Sequence, residues 1–411
     1  MADRFQAPRG TADLLPADAA ARARVEATAR ELLERAGYGC IETPVFEDTE
    51  LFARGVGAST DIVRKEMFTF EDKGGRSITL RPEATASIAR AYLEHGMQKL
   101  PQPVKLWWYG PLFRHERPQA GRFRQFTQLD VEAIGSDSPL VDAELILLCD
   151  ELLRILEVPE LVLRIGSLGS PETRAAYRPE LVAYLRDHET ELARDVRDRI
   201  DENPLRAFDS KDEPTQAVMA EAPTMLDRLD GEDAEHFTAV RRLLDQAGLT
   251  YEVDGTMVRG LDYYTRTVFE FHSGRLGPEV ALAGGGRYDR LIELLGGPST
   301  PANGWAAGIE RILLAIGATA EERPHDVFVA AEDSQRERAL ALVTQLRRAG
   351  LRTDLDLAGR GMKGQMRQAD RVGASHTLIL DPDGSIQLRD MRSGEQRVVQ
   401  AERVVEELIT R

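Results

Sequence analysis

Apolar residues recur three and four positions apart between Pro16 and Ala36, and Gly37 follows directly. This spacing predicts an amphipathic helix that ends at the glycine. Further segments with helical periodicity lie at 82–94, at 138–157 and from 308 onward. Runs rich in β-branched and aromatic residues predict strands at 41–46, 67–70, 77–80, 104–116, 123–134, 251–253, 267–271 and 280–283.

Two neighbouring predicted strands, 104–116 and 123–134, carry the most informative pattern. Side chains of the second alternate between an apolar face with Leu129, Val131 and Ala133 and a polar face with Arg124, Phe126, Gln128, Asp130 and Glu132. In the first strand, Arg114 and Glu116 also share a face. The polar face is either a solvated sheet surface or the floor of a binding site. The aromatic ring among the charged residues favours the binding site.

The middle of the chain differs in composition from the strand-rich segments before it. Residues 172–247 are rich in Arg, Asp, Glu, Ala and Leu and poor in strand patterns, which predicts a helical insertion. Residues 259–271 then read RGLDYYTRTVFEF, an Arg-Gly turn followed by two tyrosines and a short strand. Taken alone, this stretch is either a structural turn or part of a site. The later run 284–289, GGGRYD, predicts a glycine loop.

The C-terminal part forms a compositionally different segment. Residues 317–325 predict a linker, and beyond it strands at 326–331, 351–357, 376–381 and 386–389 are interspersed with helices at 333–349, 362–372 and from about 401. Residues 323–411 carry 15 Lys+Arg and 14 Asp+Glu, a net charge of +1, whereas the rest of the chain carries −17. Both changes predict a separate small α/β domain.

Length, charge and cysteine content limit the possible classes of protein. The 411 residues allow two or three domains, and the net charge of −16 argues against general affinity for nucleic acid. A specific RNA partner remains compatible with local clusters of cations. No apolar run approaches the roughly 18 residues of a membrane span, and the N-terminus lacks a signal-peptide core. Cys40 and Cys149 lie far apart, so we expect neither a disulfide framework nor a zinc site, and a cytoplasmic location.

The polar face offers cations beside an aromatic ring. Arg114, Arg122, Arg124 and Phe126 would lie together there, and Arg311 adds a cation near the start of a helix. Such a set suits a nucleoside triphosphate. Each arginine alone is better explained as a surface or ion-pair residue, and it is the occurrence of several on one sheet that favours a site. The chain has neither a P-loop nor Rossmann glycine spacing, and no nucleophile constellation is evident. This combination favours phosphoryl or nucleotidyl transfer in which the substrate supplies the nucleophile.

Several stretches resemble the histidyl-tRNA synthetases, a family of class II aminoacyl-tRNA synthetases. Residues 9–16, RGTADLLP, are similar to the N-terminal signature of the family, and 37–44 to class motif 1. FRHE at 113–116 with RFRQF at 122–126 is similar to motif 2, and residues 304–311, which end in GIER, to motif 3. LRPEAT at 80–85 is similar to the amino-acid-binding stretch. RGLDYYTRTVFEF and GGGRYDRL at 284–291 resemble the histidyl branch in particular.

The resemblance implies an α+β fold and a defined reaction. The expected catalytic domain, residues 1–320, is an antiparallel six-stranded sheet flanked by helices and interrupted by the insertion at about 172–247. The expected domain at 326–411 is an α/β anticodon-binding domain. The implied protein is a cytoplasmic homodimer that uses ATP and Mg²⁺ to activate L-histidine as histidyl-adenylate and then transfers histidine to its tRNA. No protein ligand specific to a metal is identified.

The resemblance also assigns roles to individual residues. Arg259, Arg114 and Arg311 would be catalytic. Histidine would be bound by Glu83, Thr85, Arg114, Gln128, Glu132, Arg259, Tyr263, Tyr264 and Tyr288. Within this set, Glu132 and Tyr264 would bind the two imidazole nitrogens. ATP would be bound by Arg114, Glu116, Arg122, Phe126 and Arg311. Contacts with tRNA would come from Arg117, Gln119, Arg124, Arg360, Lys363, Arg367 and Arg371.

Three alternatives accompany this assignment. The spacing of the last four cations is also compatible with a solvated helix face. A paralogue that regulates ATP phosphoribosyltransferase would share the catalytic fold, but such proteins typically lack the C-terminal domain and have a degraded RGLDYY stretch, and both are intact here. A class II synthetase for another amino acid is disfavoured by Tyr263-Tyr264 together with Glu132.

Overall fold

The computed structural model describes residues 5–57, 60–259, 261, 263–277, 280–317 and 325–409. The chain divides into two compact units, Met1–Ala320 and Glu321–Arg411. Most of the linker predicted at 317–325 lies outside the described residues, as do Gly260 and Asp262 of the RGLDYY stretch.

The first unit is a mixture of strands and helices. Its strands are β1 Gly39–Cys40, β2 Phe46–Asp48, β3 Phe68–Glu71, β4 Ser77–Leu80, β5 Val104–Phe113, β6 Gln125–Ile134, β7 Leu161–Ser167, β8 Glu252–Val253, β9 Thr265–Ser273, β10 Ala281–Arg287 and β11 Ala302–Gly308. Its helices are α1 Pro16–Arg35, α2 Thr49–Val56, α3 Thr85–Glu94, α4 Pro139–Ile155, α5 Pro171–Asp187, α6 Arg194–Arg197, α7 Glu213–Ala220, α8 Gly231–Gln246, α9 Leu291–Leu294 and α10 Ile309–Ile316.

The main sheet has eight strands, in the order β1-β5-β6-β11-β10-β9-β7-β8. The expectation of six strands was wrong because each edge carries an additional parallel strand of two residues, β1 on β5 and β8 on β7. The six inner strands are antiparallel throughout. A two-residue strand is too short to show alternation, so the pattern along the chain could not count it.

The two faces of β6 differ as predicted. Leu129, Val131 and Ala133 are fully buried in the hydrophobic core beneath α1, α4, α8 and α10. The opposite face carries Phe126, Gln128, Asp130 and Glu132 and lines a cavity. Because successive side chains of a strand point to opposite sides, burying the apolar set necessarily turns the polar set toward the cavity.

Two local predictions were wrong. Residues 284–286 belong to β10 and pair with β9 and β11, whereas a glycine loop was expected. A Cβ atom on Gly285 would lie 2.1 Å from the carbonyl oxygen of Gly304, so the glycines permit close strand approach. The strand expected at 41–46 is also absent, and only Phe46 is in a strand. There Arg81 Nη1 donates to the carbonyl oxygens of Thr43 and Pro44, at 2.7 and 3.2 Å, and takes the place of a strand partner.

The segment expected to form the insertion is mainly helical. Helices α5 to α8 span most of residues 171–246 and are joined by short 3₁₀ turns. A small apolar core of its own includes Tyr177, Leu181, Leu185 and Met219. Helix α8 instead contributes Phe237, Val240 and Leu244 to the main core, which ties the insertion to the sheet.

The second unit is a five-stranded sheet in the order β13-β12-β14-β15-β16. Its elements are β12 Val327–Ala331, α11 Arg336–Arg348, β13 Thr353–Leu355, α12 Met362–Arg371, β14 His376–Leu380, β15 Ile386–Asp390, β16 Gln396–Val399 and α13 Val404–Ile409. Strand β16 was not predicted. Helix α11 packs on the Val327 and Val329 face of the sheet, and α12 packs on the Phe328 and Ala330 face. Across the described ranges of both units, no helix is long and apolar enough to cross a membrane.

Candidate active site

A cavity of about 930 Å³ opens on the polar face of the main sheet. Every residue predicted to bind histidine or ATP lines it: Glu83, Thr85, Arg114, Glu116, Arg122, Phe126, Gln128, Glu132, Arg259, Tyr263, Tyr264, Tyr288 and Arg311. These residues come from β6, from the loop between β5 and β6, from α10, from the start of α3 and the residues just before it, from the segment that precedes β9, and from the position directly after β10. The fold thus brings positions that are more than 200 residues apart into one cavity. The role of each residue remains a prediction.

Glu132 is held at the floor of the cavity by two hydroxyl donors. Thr85 Oγ1 donates to one carboxylate oxygen at 2.7 Å, and the Tyr288 hydroxyl donates to the other at 2.5 Å. Burial raises the pKa of Glu132 well above its usual range, although the bond from Tyr288 opposes this shift. A Cβ atom on Gly304 would lie 1.7 Å from Glu132 Oε2, so only glycine there leaves room for the carboxylate. Glu132 is therefore a buried carboxyl group whose two oxygens are both held in place.

Two further carboxylates, Glu83 and Asp130, line the same cavity and are almost completely buried. Glu83 Oε1 accepts from the Ala86 backbone N–H at 2.9 Å. Glu83 Oε2 and Asp130 Oδ2 have no hydrogen-bond partner among the described residues. Burial raises the pKa of both carboxyl groups. Sequence reasoning placed Asp130 on the polar face but gave it no role.

Three tyrosine rings pack together on one side of the cavity. The ring centroid of Tyr263 lies 4.9 Å from that of Tyr264 and 5.6 Å from that of Tyr288. All three side chains are buried, and burial raises the pKa of each phenol. They therefore remain protonated at neutral pH and keep their O–H groups as hydrogen-bond donors. The cluster forms an apolar wall with polar atoms directed into the site.

A cationic region contains Arg114 and Arg122. The Arg114 guanidinium lies 5.2 Å from the centroid of the Phe126 ring, and its Nε donates to the Pro82 carbonyl oxygen at 2.8 Å. Glu116 is 3.9 Å from Arg114 and 3.6 Å from Arg122, which is too long for hydrogen bonds. Both guanidinium groups therefore retain donors that an anionic ligand can use.

Arg311 extends this cationic region from the first turn of α10. Its Nη1 donates to the Ala281 carbonyl oxygen at 2.8 Å. Burial lowers the pKa of Arg311, and the like charges of Arg122 and Arg114 lower it further, while Glu116 opposes them. The adjacent Glu310 fixes the start of the helix, because its two oxygens accept from the Thr127 backbone N–H at 2.9 and 3.0 Å. An anion placed between the three arginines would relieve their repulsion.

Arg259 lies between the tyrosines and β10. Its guanidinium pairs with Glu270 of β9 and lies 5.3 Å from the centroid of the Tyr264 ring. Gly284 permits this position, because a Cβ atom there would come within 2.8 Å of Arg259 Nη1. His272 Nε2 lies 3.0 Å from the other Glu270 oxygen. Burial alone would raise the pKa of Glu270, but Arg259 and His272 lower it, so the carboxylate stays ionised and orients Arg259.

The residues predicted to contact tRNA lie in both units. In the first, Arg117 and Gln119 are exposed in the loop between β5 and β6. The guanidinium group of Arg124 is partly occupied by bonds within the protein, because it donates to the carbonyl oxygens of Glu116 and Arg9 at 3.3 and 3.5 Å. Its assigned role remains a prediction.

In the second unit, Lys363, Arg367 and Arg371 are exposed on α12. Arg360 precedes that helix and forms an ion pair with Asp356 at 2.6 Å. The predicted basic face of four residues therefore consists of three helical positions and one loop residue.

Sequence reasoning missed Glu270, and it noted Asp130 without giving it a role. Glu270 could have been found from the alternation in β9, which places it on the opposite face from the buried Phe269 and Phe271. Asp130 occupies the position between Gln128 and Glu132 on the polar face. Alternation indicates the polar face in both strands, but it does not show that Glu270 pairs with Arg259 or that Asp130 is left unpaired among the described residues.

Comparisons with family sequence profiles and with known proteins all indicate one family. The sequence profile described as "Histidyl-tRNA synthetase" matches residues 10–312, and the profile described as "Anticodon binding domain" matches residues 325–411. The chain is 49% identical to a histidine–tRNA ligase of Rubrobacter xylanophilus, with 96% of each chain covered. It is 46% identical to the histidine–tRNA ligase of Thermosynechococcus vestitus, over 98% of this chain and 96% of the relative.

Among solved structures, apo histidyl-tRNA synthetase from S. aureus is similar, with a TM-score of 0.83 and 37% identity over 98% of this chain and all of the other. The cavity, the intact RGLDYY and GGGRYD stretches and these full-length matches agree. The chain belongs to the histidyl-tRNA synthetase family, class II enzymes that use ATP to activate histidine and attach it to tRNA.

Proposed function

We propose that the cavity of the first unit binds L-histidine and ATP side by side, joins them as histidyl-adenylate, and transfers the histidyl group to the 3′ end of histidine tRNA. One observation carries this proposal: the residues suited to an amino acid and those suited to a nucleoside triphosphate line a single cavity. Residues 1–320 act as the catalytic domain, with residues 172–247 as its helical insertion, and residues 326–411 act as the anticodon-binding domain.

The buried end of the cavity holds histidine. Glu132 and Tyr264 bind the two imidazole nitrogens, and Tyr263 and Tyr288 line the ring. Glu83 and Thr85 bind the α-ammonium group, and Gln128 lies near the backbone atoms of the substrate. A pocket built from buried donors and acceptors rejects amino acids that lack the matching pattern by roughly 10⁴-fold or more, because its polar groups would be left unpaired.

The cationic region holds ATP. The adenine ring lies between Phe126 and the Arg311 guanidinium, since aromatic faces and guanidinium planes both stack on bases. Arg114 and Arg311 bind the triphosphate, and Glu116 and Arg122 help to hold the nucleotide. The observed Arg114–Phe126 separation of 5.2 Å places a cation beside the proposed adenine platform.

Activation requires no general base. The histidine carboxylate is already ionised at neutral pH and attacks the α-phosphorus of ATP in line. A new bond forms between the carboxylate oxygen and phosphorus, the bond from phosphorus to the β-phosphate oxygen breaks, and pyrophosphate leaves. The main obstacle is the approach of two anions, and Arg259, Arg114 and Arg311 offset their repulsion as charge develops.

ATP enters as its magnesium complex. Magnesium is usually held by substrate phosphates, waters and one or two carboxylates rather than by a cage of protein ligands. Glu116 and Glu270 are carboxylates that line this cavity beside the arginines, so the donor set fits that mode. The ion would neutralise phosphate charge.

The second step uses tRNA. The terminal ribose hydroxyl attacks the carbonyl carbon of the adenylate, histidine becomes esterified to the ribose, and AMP leaves. Arg117, Gln119 and Arg124 face the acceptor end of the tRNA. Lys363, Arg367 and Arg371 of α12, with Arg360 before it, contact backbone phosphates near the anticodon. The enzyme works in the cytoplasm as a homodimer, with the segment 37–44 at the dimer interface.

The test is histidine-dependent exchange of pyrophosphate into ATP by the purified full-length chain. We expect exchange with L-histidine and none with the other protein amino acids. Charging should then require purified histidine tRNA. The proposal fails if the protein binds histidine but shows no exchange, which is the behaviour of a regulatory paralogue.

A further inference from the structure

Asp130 is a buried carboxylate for which the proposed function has no use. It lies between Gln128 and Glu132 on the polar face of β6, lines the cavity and is 1% exposed. Its Oδ2 has no hydrogen-bond partner among the described residues. A buried unpaired carboxylate is costly for a fold, so a ligand that satisfies it is the simplest reason for its presence.

The two arginines near Asp130 do not satisfy it. Arg81 stacks on Trp108 at 4.5 Å and donates to the carbonyl oxygens of Pro111 and Thr43, at 3.0 and 2.7 Å. Arg114 donates to Pro82 and stacks on Phe126. Their charges lower the pKa of Asp130, but burial and the neighbouring charge of Glu83 raise it more. Asp130 therefore lacks a cation at hydrogen-bonding distance among the described residues.

Glu83 is also a buried carboxylate with one unpaired oxygen. It is 3% exposed, lines the same cavity, and its Oε2 is unpartnered among the described residues. The charge of Glu83 raises the pKa of Asp130, so ionising both carboxyl groups is unfavourable unless a cation lies close to them. A ligand with one positive charge and several N–H donors would satisfy both at once. An alkylammonium group has three donors in a tetrahedral arrangement, and Gln128, which also lines the cavity, carries an amide oxygen that can serve as a third acceptor.

We propose that Asp130 binds the α-ammonium group of the amino-acid substrate together with Glu83, so that this group is held between two carboxylates. The inference rests on the proposed function, because it assigns a further ligand within the same histidine site. It makes the α-amino group a strict requirement: a compound with the imidazole ring and carboxylate of histidine but no amino group would place nothing between the two acids.

The test compares L-histidine with imidazolepropionate, the analogue that lacks the α-amino group. Binding of each compound is measured by calorimetry on the full-length wild type and on Asp130→Asn. We expect the substitution to weaken histidine binding by roughly ten- to a hundredfold, the usual effect of losing a hydrogen bond to a charged group. Imidazolepropionate should change by less than about twofold, since it makes no contact with Asp130.

A matched control and a second variant complete the design. Asp150→Asn removes a largely buried carboxylate that pairs with Arg154 on α4 and does not line the cavity, so it should change neither affinity. Asp130→Ser should reproduce the selective loss if Asp130→Asn does not fold. Equal weakening of both compounds, or no weakening of histidine, overturns the assignment of Asp130. Failure of the wild type to bind histidine would instead contradict the proposed function.

Discussion

Arg266 donates a hydrogen bond from Nε to Oδ1 of Asp233 at 2.9 Å, and this pair joins the helical insertion to the strand that follows Tyr263 and Tyr264. Arg266 has a φ of 46°, a left-handed conformation that costs a non-glycine residue roughly 1–2 kcal/mol. Asp233 also accepts from the Ser170 N–H at 2.7 Å and from Thr173 Oγ1 at 2.5 Å. The insertion thus stabilises a strained residue beside the proposed histidine pocket.

Replacing Asp233 by alanine should destabilise the first unit and weaken histidine binding together. Burial alone would raise the pKa of Asp233, but its hydrogen bonds from Thr173, Ser170 and Arg266 lower it, so an ionised acceptor is lost. We expect a loss of roughly 2–4 kcal/mol in the free energy of unfolding, measured with urea. The KM for histidine should rise more than the KM for ATP. Glu232→Ala removes a neighbouring, 91% exposed carboxylate and should change stability by less than about 0.5 kcal/mol.

Tyr288→Phe tests the hydroxyl that holds Glu132. The substitution keeps the ring and leaves one oxygen of a buried carboxylate without its donor, at a cost of roughly 1–3 kcal/mol. We expect the KM for histidine in pyrophosphate exchange to rise by about tenfold or more, with the KM for ATP unchanged. Tyr251→Phe removes a hydroxyl bonded to Asp245 outside the cavity and serves as the control. An equal rise in both KM values would contradict the proposed separation of the two subsites.

Arg259→Ala should nearly abolish adenylate formation while histidine binding remains measurable. Removing one preorganised charge that stabilises a developing anion typically costs 10²- to 10³-fold or more in rate. The measurement is single-turnover formation of histidyl-adenylate, with histidine affinity determined separately by calorimetry. Arg154→Ala removes an exposed arginine of α4 and should leave the rate unchanged. An unchanged rate in Arg259→Ala would refute the role assigned to this residue.

Reversing charge on α12 should affect tRNA but not adenylate formation. The double variant Lys363→Glu, Arg367→Glu is expected to raise the KM for tRNA and to reduce the salt dependence of tRNA binding, because fewer phosphates would be neutralised. Pyrophosphate exchange without tRNA should be unchanged. Arg348→Glu is the matched control, since α11 packs on the opposite face of the same sheet. If only this control raised the KM for tRNA, the binding face would be the other one.

Asp130→Asn should increase the stability of the ligand-free protein, and the gain should grow with pH. Burial and Glu83 raise the pKa of Asp130 in the fold, while Arg114 and Arg81 oppose them, and Glu132 shares the cavity. A carboxyl group with a raised folded pKa imposes no cost below its ordinary pKa of about 4, and the cost grows as the pH rises toward the folded value. Thermal unfolding at pH 4.5 and pH 8 measures the gain, and a larger gain at pH 4.5 would contradict the shift.

Much of the architecture could be predicted from local patterns. Alternation along β6 separated Leu129, Val131 and Ala133 from the polar residues that line the cavity, because strand geometry has a period of two. The helical character of residues 172–247 was predicted from their composition, and periodicity predicted the helices of the second unit and four of its five strands. The candidate site residues came from the resemblance of RGLDYY and GGGRYD to one family. Periodicity along the chain does not predict that residues as far apart as Glu83 and Tyr288 lie in one site.

Tertiary structure decided the relationships that join distant segments. Glycines 284–286 lie in a strand whose backbone is closely approached by Arg259 and Gly304. These contacts come from distant parts of the chain, so the local sequence pattern does not predict them. The pairing of Arg259 with Glu270 and the unpaired oxygens of Glu83 and Asp130 depend on burial across a cavity. Local sequence sets backbone preference and the side on which a residue lies. Long-range packing brings strands, helices and loops together around the cavity, and it decides which charges meet and which are left without a partner.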